Sequence, residues 1–317
     1  MASILERAVD ATSVKPRVKV LVWGDSGVGK TWLGLGFPKP FVVDFEHGAE
    51  PYLNRIDSEG KKLFDFKCLS LNEAQELHDV VNELLTTKHD FRTLVINPIT
   101  MYWSLLQDKW IKILGEATDR SSKGKHGDEK KGEVRFYELQ PGDWRLVTGD
   151  HDEMMMMLKQ LDMNIFCTCR AKTKYKDNSF MVADGVTFDG QKSLEYWFDT
   201  VIHLFVKNGK HLAICTKDRT GNIPMHVEFT PDYSYFAKAF GAEAIQRESE
   251  AVVFITEEQK KQITDFIANG VITATKFNEA LPRYGVKRID RLTQTDAAII
   301  ITKLEELQEK KRSRNGS

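Results

Sequence analysis

The chain has 317 residues, a formal net charge of -1 and 41% apolar residues, which suits one large domain with a full core plus a small one. The balanced charge excludes a global electrostatic footprint for nucleic acid, so any such contact has to come from local patches. Four irregularly spaced cysteines, Cys68, Cys167, Cys169 and Cys215, exclude a disulfide framework and fit a reduced, cytoplasmic setting, while no apolar run approaches the roughly 20 residues of a membrane span and the start lacks the apolar stretch of a signal peptide.

In chain order, Ile4 to Val9 read as a short helix. Val18-Lys19-Val20-Leu21-Val22-Trp23 reads as a strand and runs into Gly24-Asp25-Ser26-Gly27-Val28-Gly29-Lys30-Thr31. That stretch meets G-x-x-x-x-G-K-T/S at every fixed position. Leu33, Leu35 and Phe37 then place a short helix beginning at the lysine. Strand, glycine loop and helix start make a phosphate cradle: the glycines let successive N–H groups converge on the β-phosphate, and the helix start adds partial positive charge. Lys30 is expected to neutralise the β- and γ-phosphates and the Thr31 hydroxyl to ligate Mg²⁺. The pattern predicts a nucleoside triphosphate bound with Mg²⁺.

A second strand, Pro40 to Phe45, ends in Asp44 and Glu46, which alternation puts on one side. Ligands of open parallel sheets sit at the carboxyl ends of strands, so Glu46 is the candidate to orient the attacking water. Leu71 to Leu85 has helical periodicity. Arg92 to Ile96 is a third strand, apolar over Leu94, Val95 and Ile96, followed by Asn97 where an acid would hold Mg²⁺ through water. An amide brings an oxygen but no charge, which predicts weak metal binding or slow turnover unless Asp44 compensates.

Tyr102 to Leu114 reads as helix, and Arg120 to Arg135 as a mobile loop rich in Gly, Ser and Lys. Trp144 to Leu161 returns to helix, with Met154 to Met157 as packing. Asn164 to Cys169 is a fourth strand, with Cys167 and Cys169 read as buried thiols rather than metal ligands. Ala171 to Lys192 reads as irregular. Phe198 to Val206 and His211 to Thr216 are strands turned by Asn208-Gly209. Thr216 to Gly221 is expected to close this late hairpin, carrying Lys217 and Arg219 as either a solvated tip or cations reaching a neighbouring subunit's phosphate.

This alternation predicts an α/β fold with a mostly parallel sheet and a late antiparallel hairpin. The domain reading is a nucleotide-binding domain over 1–243, a linker over 244–254, a small helical C-terminal module over 255–309 and a basic disordered tail over 310–317. Thr256-Glu257-Glu258-Gln259 supplies a capping box at the start of the module.

The order of motifs resembles RecA-type recombinase ATPases: the stretch Phe41-Val42-Val43-Asp44-Phe45-Glu46-His47 carries the matching glutamate, and Lys217-x-Arg219 resembles the paired basic fingers of that group. The core from about Pro16 to Pro231 looks most like the phage-encoded RecA-like ATPases of the Sak type, small single-strand annealing and recombination proteins. Asn97-Pro98 replaces the usual Asp-Ser, and Arg170 stands near the place of a polar γ-phosphate sensor. The resemblance implies a RecA-like P-loop core, DNA-stimulated ATP hydrolysis, a homo-oligomer with ATP between subunits, and two DNA-facing loops. By order these are about Gly115–Gln140, with Lys123, Lys125, Lys130 and Lys131, and Ala171–Lys192, with Lys172, Lys174, Tyr175 and Lys176. Cations interleaved with aromatics suit single-stranded DNA. The C-terminal module is weakly similar to the helical tails of phage annealing proteins and could engage a single-strand-binding or annealing partner. Two alternatives stay open: a hydrolysis-poor, nucleotide-gated assembly or loading factor, and a P-loop enzyme of another class.

Overall fold

The computed structural model describes residues 17–123, 137–175 and 183–315. The helix expected over residues 4–9 lies outside them. Strand β1 (Lys19–Gly24) is apolar after Lys19 because it is covered on both faces, with Val20, Leu21 and Val22 inaccessible to solvent. The chain continues through α1 (Lys30–Leu35), β2 (Pro40–Asp44), β3 (Lys67–Ser70), α2 (Ala74–Thr86), β4 (Thr93–Asn97), α3 (Ile99–Lys123), α4 (Trp144–Gln160) and β5 (Asn164–Tyr175). Then come β6 (Ala183–Phe188), β7 (Thr200–Lys207), β8 (Lys210–Asp218), the two-residue β9 (Glu228–Phe229), α5 (Tyr233–Phe240) and α6 (Ala242–Gln246).

The main sheet runs β3-β2-β4-β5-β1-β7-β8-β9, parallel from β3 to β7 and antiparallel over β8 and β9. Alternation along β1 sorts the core. Leu21 and Trp23 join Val43, Leu77, Leu106 and Met154 under α2, α3 and α4. Val20 and Val22 join Leu33, Phe236 and Ile245 under α1, α5 and α6. The α/β class, the mostly parallel sheet and the late hairpin are as expected. Asn208 and Gly209 turn the hairpin with φ of 54° and 71°, the two left-handed residues a type I′ turn requires. Met154, Met155 and Met157 are packing residues, and Cys167 and Cys169 are buried free thiols. No helix among the described residues is long and apolar enough to cross a membrane.

Several elements differ from the sequence reading. β5 continues past Cys169 to Tyr175 and pairs with β6 in an antiparallel ribbon, where an irregular stretch was expected. Residues 172–175 and 183–186 are exposed on both faces, so they carry no apolar alternation to announce a strand. α3 extends to Lys123, beyond its apolar stripe. Within the expected linker, residues up to Gln246 are helical, Ile245 is fully buried, and the Val252 amide donates to the Leu85 carbonyl at 2.8 Å. The basic run 310–314 is the end of a helix rather than a disordered tail.

That helix, α9 (Gln294–Asn315), packs with α7 (Glu257–Ala268) and α8 (Ala274–Ala280) around a separate core of Ile263, Phe277, Leu281, Leu292, Ile300 and Leu304. The capping box holds: the Gln259 amide donates to Thr256 Oγ1 at 3.1 Å and the Thr256 amide to Gln259 Oε1 at 3.2 Å. Arg291 of this module donates to Asn82 Oδ1 on α2 at 2.5 Å.

Candidate nucleotide-binding site

Parallel strands bring their carboxyl ends to one edge, so the register that pairs Asp44 with Asn97 and Gly24 with Arg170 assembles the site. The glycine loop between β1 and α1 packs tightly. A Cβ on Gly24 would fall 2.2 Å from the Leu204 carbonyl oxygen, and Gly29, which caps α1, has φ 96°. Val28 packs into the core, and its carbonyl accepts from His211 at 3.0 Å when that Nδ1 is protonated. The remaining motif residues, Gly24, Asp25, Ser26, Gly27, Gly29, Lys30 and Thr31, line a cavity of about 470 Å³ with Glu46, Tyr52, Asn97, Thr168 and Arg170.

Lys30 Nζ donates to the Gly24 and Asp25 carbonyls at 2.8 and 2.6 Å, curled over its own loop. Burial pulls its pKa below the ordinary lysine value, against the nearby Glu46 and Asp25 carboxylates. Thr31 Oγ1 donates to Asn97 Oδ1 at 3.1 Å, and Thr168 Oγ1 donates to the same oxygen at 2.7 Å. Asn97 Nδ2 donates to Asp44 Oδ1 at 3.1 Å. Asp44 is fully buried and also accepts the amides of Glu46 at 3.2 Å and Ala49 at 2.7 Å.

These bonds divide the labour of the expected metal acid. An acid at position 97 would orient the Thr31 hydroxyl and supply charge. Asn97 keeps the first role: by accepting the hydrogen bond from the Thr31 hydroxyl it leaves that oxygen's lone pairs free to face a cation. The second role is absent, and both Oδ1 lone pairs are used by hydroxyls rather than left for metal-bound water. Asp44 does not line the cavity, since its two oxygens fix the turn that carries Glu46. The residues therefore fit a triphosphate, and the Thr31 hydroxyl is the protein group that would hold a Mg²⁺ ion accompanying it, which would supply charge neutralisation.

Glu46 Oε1 forms an ion pair with Arg170 Nη2 across the cavity mouth. The Arg170 amide is fixed by Thr100 Oγ1 at 3.0 Å. From there β5 leads outward to Lys172, Lys174 and Tyr175, all exposed, with Lys172 paired to Asp189 at 3.1 Å. Lys123 ends α3; Lys125, Lys130, Lys131 and Lys176 lie outside the described residues.

Lys217 and Arg219 stand elsewhere. β7 is parallel to β1, so its Asn208-Gly209 turn lies at the glycine-loop end and β8 returns to the opposite end, where Asp218 pairs with Thr200. The expectation that Thr216 to Gly221 closes the hairpin is corrected by this polarity. Lys217 Nζ donates to the Glu195 carbonyl and to the Phe198 carbonyl at 2.9 Å, with its charge 5.5 Å from the Tyr196 ring. Burial first, then the Arg219 charge, lower its pKa. Arg219 is exposed. Neither cation faces its own chain's glycine loop.

Sequence reasoning missed Thr168 and Tyr52. Thr168 lies one residue before a recognised strand end, and its role appears only once β5 is placed between β1 and β4. Tyr52 lines the cavity and packs edge-on with Trp32 and Phe64, while Arg55 lies 5.2 Å from the Trp32 ring centre. The aromatic after Thr31 and the run Pro51-Tyr52 were the available signals.

Residues 17–239 match a family described as an AAA domain, and the chain belongs to that family. The site and fold are thus those of a P-loop nucleotide-binding protein. A crystal structure of the RadB recombinase is similar at 17% identity and a TM-score of 0.39, over 67% of this chain and 84% of that one. Among curated proteins, none matches the sequence.

Proposed function

We propose that this protein is a RecA-like ATPase that binds ATP with Mg²⁺, hydrolyses it, and acts on single-stranded DNA in phage recombination, annealing or replication, in the host cytoplasm. The observation that carries this reading is the Glu46–Arg170 pair at the mouth of a cavity floored by Lys30 and Thr31. On nucleotide entry Lys30 leaves its loop carbonyls for the phosphates. The Thr31 oxygen, already turned by Asn97, faces the metal position. Glu46 holds the attacking water and accepts from it, while Arg170 moves to the γ-phosphate. Bound Mg²⁺ would neutralise phosphate charge that Lys30 and Arg170 do not reach. Because Arg170 begins the ribbon that carries Lys172, Lys174 and Tyr175, phosphates and bases held there would bias the Glu46–Arg170 pair.

Homo-oligomerisation follows from the same reading. Lys217 and Arg219 sit at the sheet end away from their own loop, so they would complete a site only on a neighbouring subunit. Replacing both with Ala should cut DNA-stimulated hydrolysis about 10³-fold or more. Mixing that variant with Lys30→Ala should restore part of it; an inactive mixture of exchanging subunits would sink the trans arrangement. The C-terminal module is assigned to a single-strand-binding or annealing partner.

The deciding experiment is ATP hydrolysis with and without single-stranded DNA, on wild type and Lys30→Ala. Stimulation in the first and none in the second is expected. A DNA-independent rate would point to a P-loop enzyme of another class. The neutral Thr31–Asn97–Thr168 group favours one second reading, a nucleotide-gated assembly or loading factor that hydrolyses poorly. It predicts ATP-dependent assembly with little phosphate release.

A further inference from the structure

The C-terminal module holds a second cavity, of about 250 Å³, between α8, the turn Leu281–Tyr284 and α9. Its floor is apolar: Phe277, Leu281 and Leu304 are buried, and Leu307, 42% exposed, stands at its mouth. The charged groups lining it are Arg283 and Lys303; no carboxylate among the described residues does so. Lys303 Nζ reaches the Tyr284 hydroxyl at 3.5 Å and lies 5.9 Å from that ring, which keeps its charge at the rim. Helical spacing puts Lys311 on the same side of α9 as Lys303 and Leu307, and Glu305 and Glu309 on the opposite side. Lys311 donates to the Gly270 carbonyl at 2.8 Å, two residues before Ile272 of the lining.

Size and charge together select the occupant. Sites for cofactors and drug-sized ligands run to about 300–1,000 Å³, so this cavity suits one or two bulky side chains instead. An apolar floor under cations favours an apolar anchor carried by an acidic backbone segment, and it disfavours the chain's own basic end at Lys310 to Arg314. We propose that the cavity docks an acidic peptide segment of a partner protein, a bulky apolar side chain filling the floor and carboxylates pairing with Arg283 and Lys303. This stands independently of the hydrolytic reading of the nucleotide site.

The test uses the full chain and a fluorescently labelled peptide of four aspartates followed by Leu-Phe-Leu, read by anisotropy. Saturable binding is expected. Substituting asparagine for the aspartates, or alanine for the apolar residues, should weaken it about tenfold or more. Arg283→Glu combined with Lys303→Glu should do the same, as should Leu307→Asp. All three positions are at the rim, so nucleotide binding and the melting temperature should stay at wild-type values. No saturable binding to wild type, equal binding of the asparagine peptide, or indifference to the rim variants would overturn the proposal. A wild-type dimer that Leu307→Asp converts to monomer would also overturn it, by giving the cavity to a second copy. Tighter peptide binding after removal of residues 312–317 would instead make the chain's own end the occupant.

Discussion

Each end of the central sheet carries an arginine–carboxylate pair, and the two are built differently. At the amino end, Asp162 takes both Arg17, at 2.9 and 3.1 Å, and Arg247, at 2.5 and 3.0 Å. Arg17 also donates to the carbonyls of Arg247 and Glu248 at 2.9 and 2.7 Å, and its side chain is 3% exposed. The guanidinium is walled in by acceptors that have nowhere else to go. At the carboxyl end, Arg170 is half exposed, pairs with Glu46 and faces a cavity. A pair saturated by backbone holds segments together, here the start of β1, the start of β5 and the chain after α6. A pair beside a cavity can exchange one partner for a ligand of like charge. Net worth follows from that contrast: exposed pairs contribute little to stability, and breaking a buried one costs much.

Of the two pairs, the exchangeable one should give the larger effect on hydrolysis. Glu46→Gln keeps the shape and removes the charge, so ATP binding should persist while hydrolysis falls about 10²-fold or more. Arg170→Ala should lower hydrolysis about 10-fold to 10²-fold and uncouple it from DNA, with the melting temperature unchanged. Wild-type turnover in Glu46→Gln would move the role of water activation to another group. A lowered melting temperature in Arg170→Ala would make this pair structural and erase the contrast.

The amino-end pair should give the reverse pattern. Asp162→Ala leaves two guanidiniums facing each other, and a loss of about 2–3 kcal/mol in stability is expected, with hydrolysis per folded molecule unchanged. Burial works to raise the Asp162 pKa, but the hydrogen bonds from Arg17 and Arg247 outweigh it, so the net shift is downward. A depressed carboxylate contributes stability that is full above its unfolded pKa and is lost as pH falls through the folded one. The gap between wild type and Asp162→Ala should therefore narrow in acid. Denaturant unfolding across that range checks both points, and a gap constant with pH would separate the stability of this end from its charges.

The contrast also marks what was legible in the chain. The glycine loop was readable because its spacing is fixed by backbone geometry, and Glu46 because strand ends gather ligands in a parallel sheet. Thr168 was not, since its partner Asn97 lies 71 positions away and only the insertion of β5 beside β4 joins them. The outer ribbon was unreadable because a strand exposed on both faces has no apolar period. Lys217 was seen as a strand-end cation, but which end it occupies depends on strand direction, which composition does not encode.

The smallest effect, and the sharpest test of the carboxyl end, concerns Asn97. Replacing it with Asp restores the charge an ordinary metal acid would bring, and in isolation that predicts tighter Mg²⁺ dependence and faster turnover. The neighbour changes the outcome. Asn97 Nδ2 donates to Asp44 Oδ1, so Asn97→Asp removes a donor and sets two carboxylates against each other in a buried place. A cost of about 1–3 kcal/mol is expected without nucleotide. Like charges raise the folded pKa of the pair above the unfolded value. The proton they share then stabilises the variant at low pH, and that stability is lost as pH rises through the raised value, opposite to Asp162. Mg²⁺ with nucleotide should recover part of the loss, because a cation near Thr31 relieves the repulsion. Asp44→Asn added to Asn97→Asp should recover only part of it: the exchange keeps one carboxylate and one amide in contact, but an amide nitrogen at the place of Asp44 Oδ1 can no longer accept from the Glu46 amide. Thermal melts of the two variants at pH 5 and pH 8, with and without Mg²⁺ and ATP, decide the matter. If Asn97→Asp melts like wild type at both values, the Asn97–Asp44 contact does not hold this end of the sheet, and the missing charge alone governs how the site takes its metal.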